Sequence, residues 1–594
     1  MKRIAKRTYV LVLLCIVFLG LVAWTAWRVY TATYVFKGLH GPVAATVMPH
    51  IDAAQVDTFD QGSEQRIAVL ITDPDSDWLG WVRAFKAHGI PARFTLDPAV
   101  AFRHHVVLVY PIVSGKAMSA NALRGLANHI HSGNVVLAFE LAGGGLNDVF
   151  GVSGYRPAKS REEIRWMQPR GIPREDVVRV NREEKLWTLG YSATSATVLA
   201  RFDDDTAALT CNQQVGMACL MGLDAGRLIQ MGMDGRAEPI NRQYVNGYEP
   251  GMDVLVRWIR DLYLAQEPMP WRVSTVPEDK ALAMLPTHDV DYGPSVRNSL
   301  AFANVLKDRD VSGTFFFQTK YRRDYNDEVF FDPDAVKVMH NLVGMKMELG
   351  SHTVAHSRQF EHMPLGTGHE QYPDYRPFVK ARGTVTDGTV LGELRISKYL
   401  IESLSSAQVV SFRPGYLSYP FVLPEALAAT GYRYSSSLTA NRTLTHLPYQ
   451  MTVGRAGRAL APVFEFPVTI EDEAQPPLGE RFDQAQEVMH DIARNQGLAV
   501  LLNHPDITGH KLEFERRWID AWRDRAWIGN LESFGQWWVA RDQVDINVVR
   551  VGKGWVLEAH SPLAIRGLVV HLPKAPRKKV RLDLAAGETV RIAL

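Results

Sequence analysis

Twice along this chain, short apolar runs alternate with stretches of helical period, and that alternation restricts the fold more than any other feature. In the first stretch, Ile67–Ile71, Val106–Val109 and Asn134–Phe139 predict buried strands, and Trp78–His88 and Ser119–His131 predict helices between them. The second stretch runs through strands at Leu282–Leu285, Gly313–Gln318, Met345–Leu349, Val409–Ser411 and Ala499–Leu502. Its helices are predicted over Ser295–Lys307, Asp334–Asn341, Thr389–Ser403 and Pro424–Ala429. Strand–helix alternation of this kind specifies an α/β fold with parallel strands. Such folds put their chemistry at the C-terminal ends of the strands.

Polar clusters stand at those ends in the second stretch. Thr287-His288-Asp289-Val290-Asp291 follows one apolar run, and Gly350-Ser351-His352-Thr353-Val354-Ala355-His356 follows another. Alternation along a strand sends Asp289 and Asp291 to one side. Residues four apart on a helix or helical turn are neighbours, so that geometry brings His352 and His356 to one ion. Two imidazoles and one carboxylate form a three-ligand catalytic set, with Asp291, His352 and His356 as ligands of a divalent metal ion, zinc by donor type. Asp289 is then left on the same face to take a proton from water. A surface pair of histidines is the bland reading of H-x-x-x-H; the upstream D-x-D argues against it. Arg413, in Ser411-Phe412-Arg413-Pro414-Gly415-Tyr416, can hold a carboxylate ionised. His504, at the end of Leu501-Leu502-Asn503-His504-Pro505, can protonate a leaving amine.

The remaining sequence sets the context. At 594 residues the chain calls for about two to four domains. Sixty-six basic against 64 acidic residues leave a net charge of +2, which excludes binding to nucleic acid through bulk charge. Lys2, Arg3, Lys6 and Arg7 precede the uncharged stretch Thr8–Trp27, about twenty residues and enough to span a bilayer. The basic flank orients the rest of the chain outward. The stretch exceeds a signal-peptide core and no small-x-small site follows it, which favours an uncleaved anchor over cleavage. The expected division is anchor 1–30, unpatterned linker 31–62, doubly wound α/β accessory domain 63–272, catalytic α/β domain 276–545 and small all-β module 546–594. Cys211 and Cys219 flank a hairpin-like turn and are placed either to pair or to remain strand thiols. The glycine run Gly143–Gly145 lacks the spacing of a phosphate loop.

The clusters around Asp289, His352, Arg413 and His504 together resemble the polysaccharide deacetylase family, the NodB-homology carbohydrate esterases, over roughly 276–543. The resemblance implies a distorted (β/α) barrel and metal-dependent removal of N-acetyl groups from an amino-sugar polymer. It assigns Asp289 as base, Asp291, His352 and His356 as ligands, Arg413 as the holder of the base and His504 as general acid. Thr353 and the backbone amide of Tyr416 take supporting positions at the substrate and oxyanion. The accessory domain loosely resembles the glutamine-amidotransferase-like fold, without a nucleophilic cysteine at its elbow. The implied setting is the cytoplasmic (inner) membrane, single-pass, with the bulk of the chain periplasmic or extracellular. The implied partners are an N-acetylated glycan and polysaccharide synthesis or export proteins.

The sequence departs from the family in three places. Val290 separates the two aspartates, His288 points away from the site as a packing residue, and no carboxylate lies between Ser435 and Asn441 to tune His504. That last gap supports a second reading, a catalytically impaired glycan-binding component of an assembly complex. A third, an Fe(II) oxygenase site, uses the same ligand set but leaves Asp289, Arg413 and His504 without a task. Tyr416, Tyr419, Trp537 and Trp538 are candidate sugar-stacking faces.

Overall fold

The computed structural model describes residues 2–30, 32–180, 185–236, 247–325, 329–381, 383–455 and 457–594. Lys2–Tyr30 is a single helix. Its apolar side chains from Val12 to Trp27 are exposed around the whole circumference, with Leu13, Phe18 and Leu19 at 64–66 %. Counted over the described residues, no helix is long and apolar enough to cross a membrane.

The segment after the helix has no periodicity because its partners lie on another part of the chain. It is laid along the catalytic domain as a strap. Tyr34 N donates to Tyr321 O at 2.7 Å, Gly41 and Tyr372 exchange both backbone bonds, and Thr46 N donates to Gly368 O at 2.9 Å. The Phe36 ring packs against Tyr34 and Phe331, with centroids 4.9 and 5.8 Å away.

Five parallel strands begin the accessory domain, in the spatial order Ala92–Thr95, Ile67–Ile71, Val106–Tyr110, Val135–Ala138 and Met217–Met221. All five residues of Ile67–Ile71 and of Val106–Tyr110 are buried, as strands covered by helices on both faces require. The doubly wound pattern stops there. A hairpin returns the chain antiparallel from Ala207–Gln213 to Met217–Met221, with Cys211 opposite Cys219 and the two joined as a disulfide. Beyond it the sheet continues antiparallel through Thr197–Phe202 and Glu163–Trp166 to Val177–Arg179. Buried polar contacts fix this domain to the next. Arg83 donates to Gln230 Oε1 at 2.6 Å and to Gln450 O at 2.8 Å, and Asp253 Oδ2 accepts from His446 N at 3.0 Å.

The catalytic stretch forms a distorted barrel. Its strands run Leu460–Glu465, Tyr434–Ser435, Ser411–Phe412, Glu348–Ser351, Thr314–Phe317, Ala283–Val290, Leu498–Asn503 and Ile470–Glu471, each parallel to the next. Closure comes from one piece of chain. Residues 460–465 pair with one edge, 470–471 pair with the other, and a parallel bridge between Thr439 and Val468 spans the interval. The register aligns Asp289 with Phe316, Phe316 with Gly350, Ser351 with Phe412 and Glu471 with Leu502. The ends of these six strands therefore open onto one mouth. Gly350 permits the close pairing there, since a Cβ at that position would lie 2.4 Å from the Phe316 ring.

The C-terminal residues form two three-stranded antiparallel sheets, one of which borrows Arg272–Val273 as a strand. Two lysines of this module, Lys574 and Lys579, are exposed and make surface contacts to neighbouring elements. Lys574 donates to Ala265 O and Glu267 O, and Lys579 pairs with Asp279 at 2.6 Å.

Candidate active site

Every cluster singled out in the second stretch meets at the barrel mouth. Asp289 lies at the end of Ala283–Val290 and Asp291 just beyond it, while His352 follows Glu348–Ser351. Arg413 follows Ser411–Phe412 and His504 follows Leu498–Asn503. His352 Nε2 is 3.2 Å from Asp291 Oδ1, and His356 Nε2 is 3.4 Å from Asp291 Oδ2. Ligand atoms of Asp291, His352 and His356 all lie within 4.8 Å of one another, the one such group among the described residues.

These residues fit a divalent ion. Asp291 Oδ1 is buried without a hydrogen-bond partner, a cost that an ion would relieve. His352 Nδ1 is 2.7 Å from Arg413 O, so Nδ1 carries the proton and Nε2 is left to ligate. Burial opposes ionisation of Asp291, but His356 and His352 outweigh it and hold the carboxyl well below the usual range.

The route by which the imidazoles converge corrects the expectation of a helical turn. His352–His356 is a loop, in which Thr353 and His356 have φ values of 66° and 51°. Glu393 secures it by accepting from the Val354 and Ala355 amides at 2.8 Å each. Thr353 serves the same turn: it is buried, and its hydroxyl accepts from His356 N at 3.1 Å. It does not line the cavity at the barrel mouth, whereas Tyr416 does. The Tyr416 ring lies 4.7 Å from that of His356. Gly415 lets the two loops meet, because a Cβ there would fall 2.5 Å from the imidazole of His356.

Asp289 is held from behind. Arg413 Nη1 donates to its Oδ1 at 2.8 Å, and the same guanidinium donates to Ser436 O and Oγ at 3.1 and 2.8 Å. Arg413 is fully buried, so its charge acts on Asp289 with little screening by water.

Across the mouth, His504 Nε2 lies 3.4 Å from Asp291 Oδ2. Its Nδ1 is 2.7 Å from Asp472 Oδ1, and Asp472 Oδ2 accepts from His504 N at 2.7 Å. Asp472 is the carboxylate absent from the Ser435–Asn441 segment. It comes instead from the strand Ile470–Glu471, which the register places beside Leu501 and Leu502. Burial alone would lower the pKa of His504; Asp472, Asp291 and Asp289 overcome that and raise it to about 10. Burial would likewise raise Asp472, but His504 and Lys511 hold it well below the usual range. Lys511 Nζ reaches Asp472 Oδ2 and Asp506 Oδ1, both at 2.6 Å.

Residues 287–435 match the polysaccharide deacetylase family model. Asp472 and His504 lie beyond the matched residues of this deacetylase domain, so their place in the site rests on the geometry above. Solved structures similar to the chain include a putative polysaccharide deacetylase from Mycobacterium smegmatis (16 % identity, 43 % of this chain and 90 % of that one, TM-score 0.33). A polysaccharide deacetylase from Bacillus cereus is 12 % identical over 42 % of this chain and 91 % of its own, with a TM-score of 0.27. A CE4 family pseudoenzyme from Bacillus anthracis is 15 % identical over 43 % and 66 %, with a TM-score of 0.24. No curated protein matches the chain.

Other side chains read from the sequence fall elsewhere. His288 turns away from the metal ligands, stacks on Phe315 at 4.3 Å and places Nε2 2.8 Å from Glu515. Trp538 and Tyr419 are core residues at 0 and 1 % exposure, which removes them as sugar platforms. Trp537 is tied down by its Nε1 donating to Arg566 O at 3.0 Å.

Proposed function

We infer that the chain is a metal-dependent deacetylase that removes N-acetyl groups from an amino-sugar polysaccharide outside the cytoplasmic membrane. The observation that carries this reading is Asp289, fixed by Arg413, facing His504, fixed by Asp472, across the ligand set Asp291, His352 and His356. A divalent ion held by those three, zinc by donor type, would acidify a water and polarise the acetamide carbonyl. Asp289 accepts the proton of the attacking water, and Arg413 keeps it ionised until then. The backbone amide at Tyr416 supports the oxyanion that develops on the carbonyl. His504, protonated through its pairing with Asp472, donates to the departing amine, and acetate and a free amino sugar leave. The alternative of a catalytically impaired glycan-binding component drew on the missing carboxylate near Ser435, which Asp472 supplies from elsewhere, and on the large accessory domains, which are common to both readings.

The helix at Lys2–Tyr30 supports a single-pass anchor in the inner membrane, because an apolar surface on all sides of a helix requires lipid or protein around it. The accessory domain is read as non-catalytic, with polysaccharide synthesis or export proteins as its partners. The test is acetate release from N-acetylglucosamine oligomers by the full chain, before and after chelation and zinc add-back. Acetate that appears undiminished in the chelated enzyme would exclude the metal-dependent reaction.

A further inference from the structure

The strap after the N-terminal helix is attached to a particular side of the deacetylase domain. It contacts Tyr321, Arg322, Gly368 and Tyr372, in loops that follow the strands Thr314–Phe317 and Glu348–Ser351 at their C-terminal ends. Those are the ends that carry the metal ligands. Arg395, on the flanking helix Val390–Ser405, also donates to Pro42 O, Ala44 O and the Thr46 hydroxyl. The link to the site is short. Gln318 Nε2 donates to Val354 O at 3.1 Å and Thr319 N to Thr353 O at 3.0 Å, within the loop that holds His352 and His356. Two residues later, Tyr321 O accepts from Tyr34 N at 2.7 Å. An extended chain covers at most about 3.5 Å per residue, so Tyr34 N lies within roughly 15 Å of Thr353. Tyr30, the last helical residue, adds at most about 14 Å more.

The helix itself touches this rim. The Trp27 ring packs 6.2 Å from Phe378, and the Arg322 guanidinium lies over the Phe378 ring at 5.0 Å. Around this contact, Trp24, Trp27, Tyr34 and Tyr325 are exposed aromatics, the residue type that settles at a lipid–water interface. Lys37, Arg376 and Lys380 are exposed cations on the same rim, against the exposed acids Asp374 and Asp387; cations so close to a lipid-seated helix suit anionic headgroups.

We propose that the strap holds the mouth of the deacetylase site down at the surface of the membrane that receives Lys2–Tyr30, so that the glycan acted on is a chain held at that membrane. This rests on the anchored-deacetylase reading above. The geometry sets the constraint: the ligands stay within about 30 Å of the helix end, and the mouth faces the bilayer. A polymer free in solution must enter between domain and lipid, whereas a glycan attached to a lipid is presented at the correct height.

The experiment uses the full chain, as Cys15→Ser, in vesicles of phosphatidylethanolamine and phosphatidylglycerol. A donor dye is placed at Lys380→Cys on the rim or at Asp524→Cys beside Arg525, whose carbonyl binds Ala281 N at the opposite end of the barrel; an acceptor dye is in the lipid. Energy transfer is expected to be stronger from position 380 than from 524. A flexible insert of about thirty residues between Tyr30 and Thr33, which spans roughly 30 Å as a coil, is expected to weaken transfer from 380. Acetate release is then compared for an N-acetylglucosamine oligomer linked to a lipid in those vesicles and for the same oligomer free. About tenfold faster release from the lipid-held form is expected through effective concentration, and the insert, by letting the mouth lift from the lipid, is expected to raise release from the free oligomer. Equal or reversed transfer, equal rates on the two oligomers, or a chain that washes off the vesicles in alkaline carbonate overturns the proposal. Failure to act on either oligomer removes the deacetylase reading instead, while the order of energy transfer still decides the orientation.

Discussion

Among the described residues two α/β regions are built on parallel strands, a mixed accessory sheet and a barrel, and only the barrel gathers a reactive constellation. The accessory sheet also ends its strands in polar residues. Tyr110 donates to Asp224 Oδ1 at 2.6 Å, and Glu140, at the end of Val135–Ala138, is pushed up to about 7 by burial and by Asp224. That sheet is open, however, so its strand ends lie along a line and neighbours are separated by about 4.8 Å per strand. Five strands spread their polar ends over roughly 20 Å. In the barrel, closure through residues 460–471 brings strands from opposite edges of the sheet to one mouth. Arg413 and His352, which follow strands three and two places away from Ala283–Val290, thus reach Asp289 and Asp291, which an open sheet of the same strands would keep apart. Curvature concentrates the chemistry.

The comparison can be broken most directly by removing the metal. Chelation is expected to abolish acetate release and zinc to restore it, with circular dichroism unchanged. Asp289→Asn should follow closely, with a loss of about 10²–10⁴-fold in kcat and undiminished zinc content by elemental analysis. Asp472→Asn leaves His504 in place without its anionic partner. A drop of about a hundredfold in kcat with little change in KM is expected, and an unaltered kcat would remove Asp472 as the group that tunes His504. Glu140→Gln with Asp224→Ala sharpens the comparison from the other side. Acetate release should stay within about twofold of wild type, while loss of the cap that Asp224 provides to Ala225–Gly232 lowers stability by about 1 kcal/mol. A test on stability alone concerns Glu465, raised to about 7 by burial. A carboxyl raised in the folded state contributes stability that is fully present below its unfolded value near 4.5 and lost as pH rises to about 7. Thermal melts should therefore decline over that window, by up to roughly 3 kcal/mol, and Glu465→Gln should flatten the decline.

Much of this was legible before any coordinates. Ile67–Ile71 and Trp78–His88 stand where their periodicity puts them, and the residues after each apolar run converge because parallel strands share a direction. Asp472 was hidden by distance, since nothing in a single sequence ties it to His504 thirty-two positions away. The one local signal was an acidic trio, Glu471–Glu473, directly after the apolar Val468–Ile470. The histidine pair was found by its spacing but assigned the wrong backbone. A four-residue interval fits a helical turn, and equally a loop with left-handed residues at Thr353 and His356. The strap was unreadable for a related reason. Its bonds to Tyr321, Gly368 and Tyr372 are hundreds of residues away in sequence, so it carries no period of its own.

The order of the strands also sets a schedule. Ala283–Val290 lies between Thr314–Phe317 and Leu498–Asn503, so the centre of the barrel is flanked by its second strand and by one of its last. A chain made from its N-terminus outward presents Asp291, His352 and His356 long before His504 exists. The ion-holding half of the site is complete while the proton donor is still unsynthesised. On the proposed mechanism a partly made chain is thus inert, since its proton donor arrives only after the strand Leu498–Asn503.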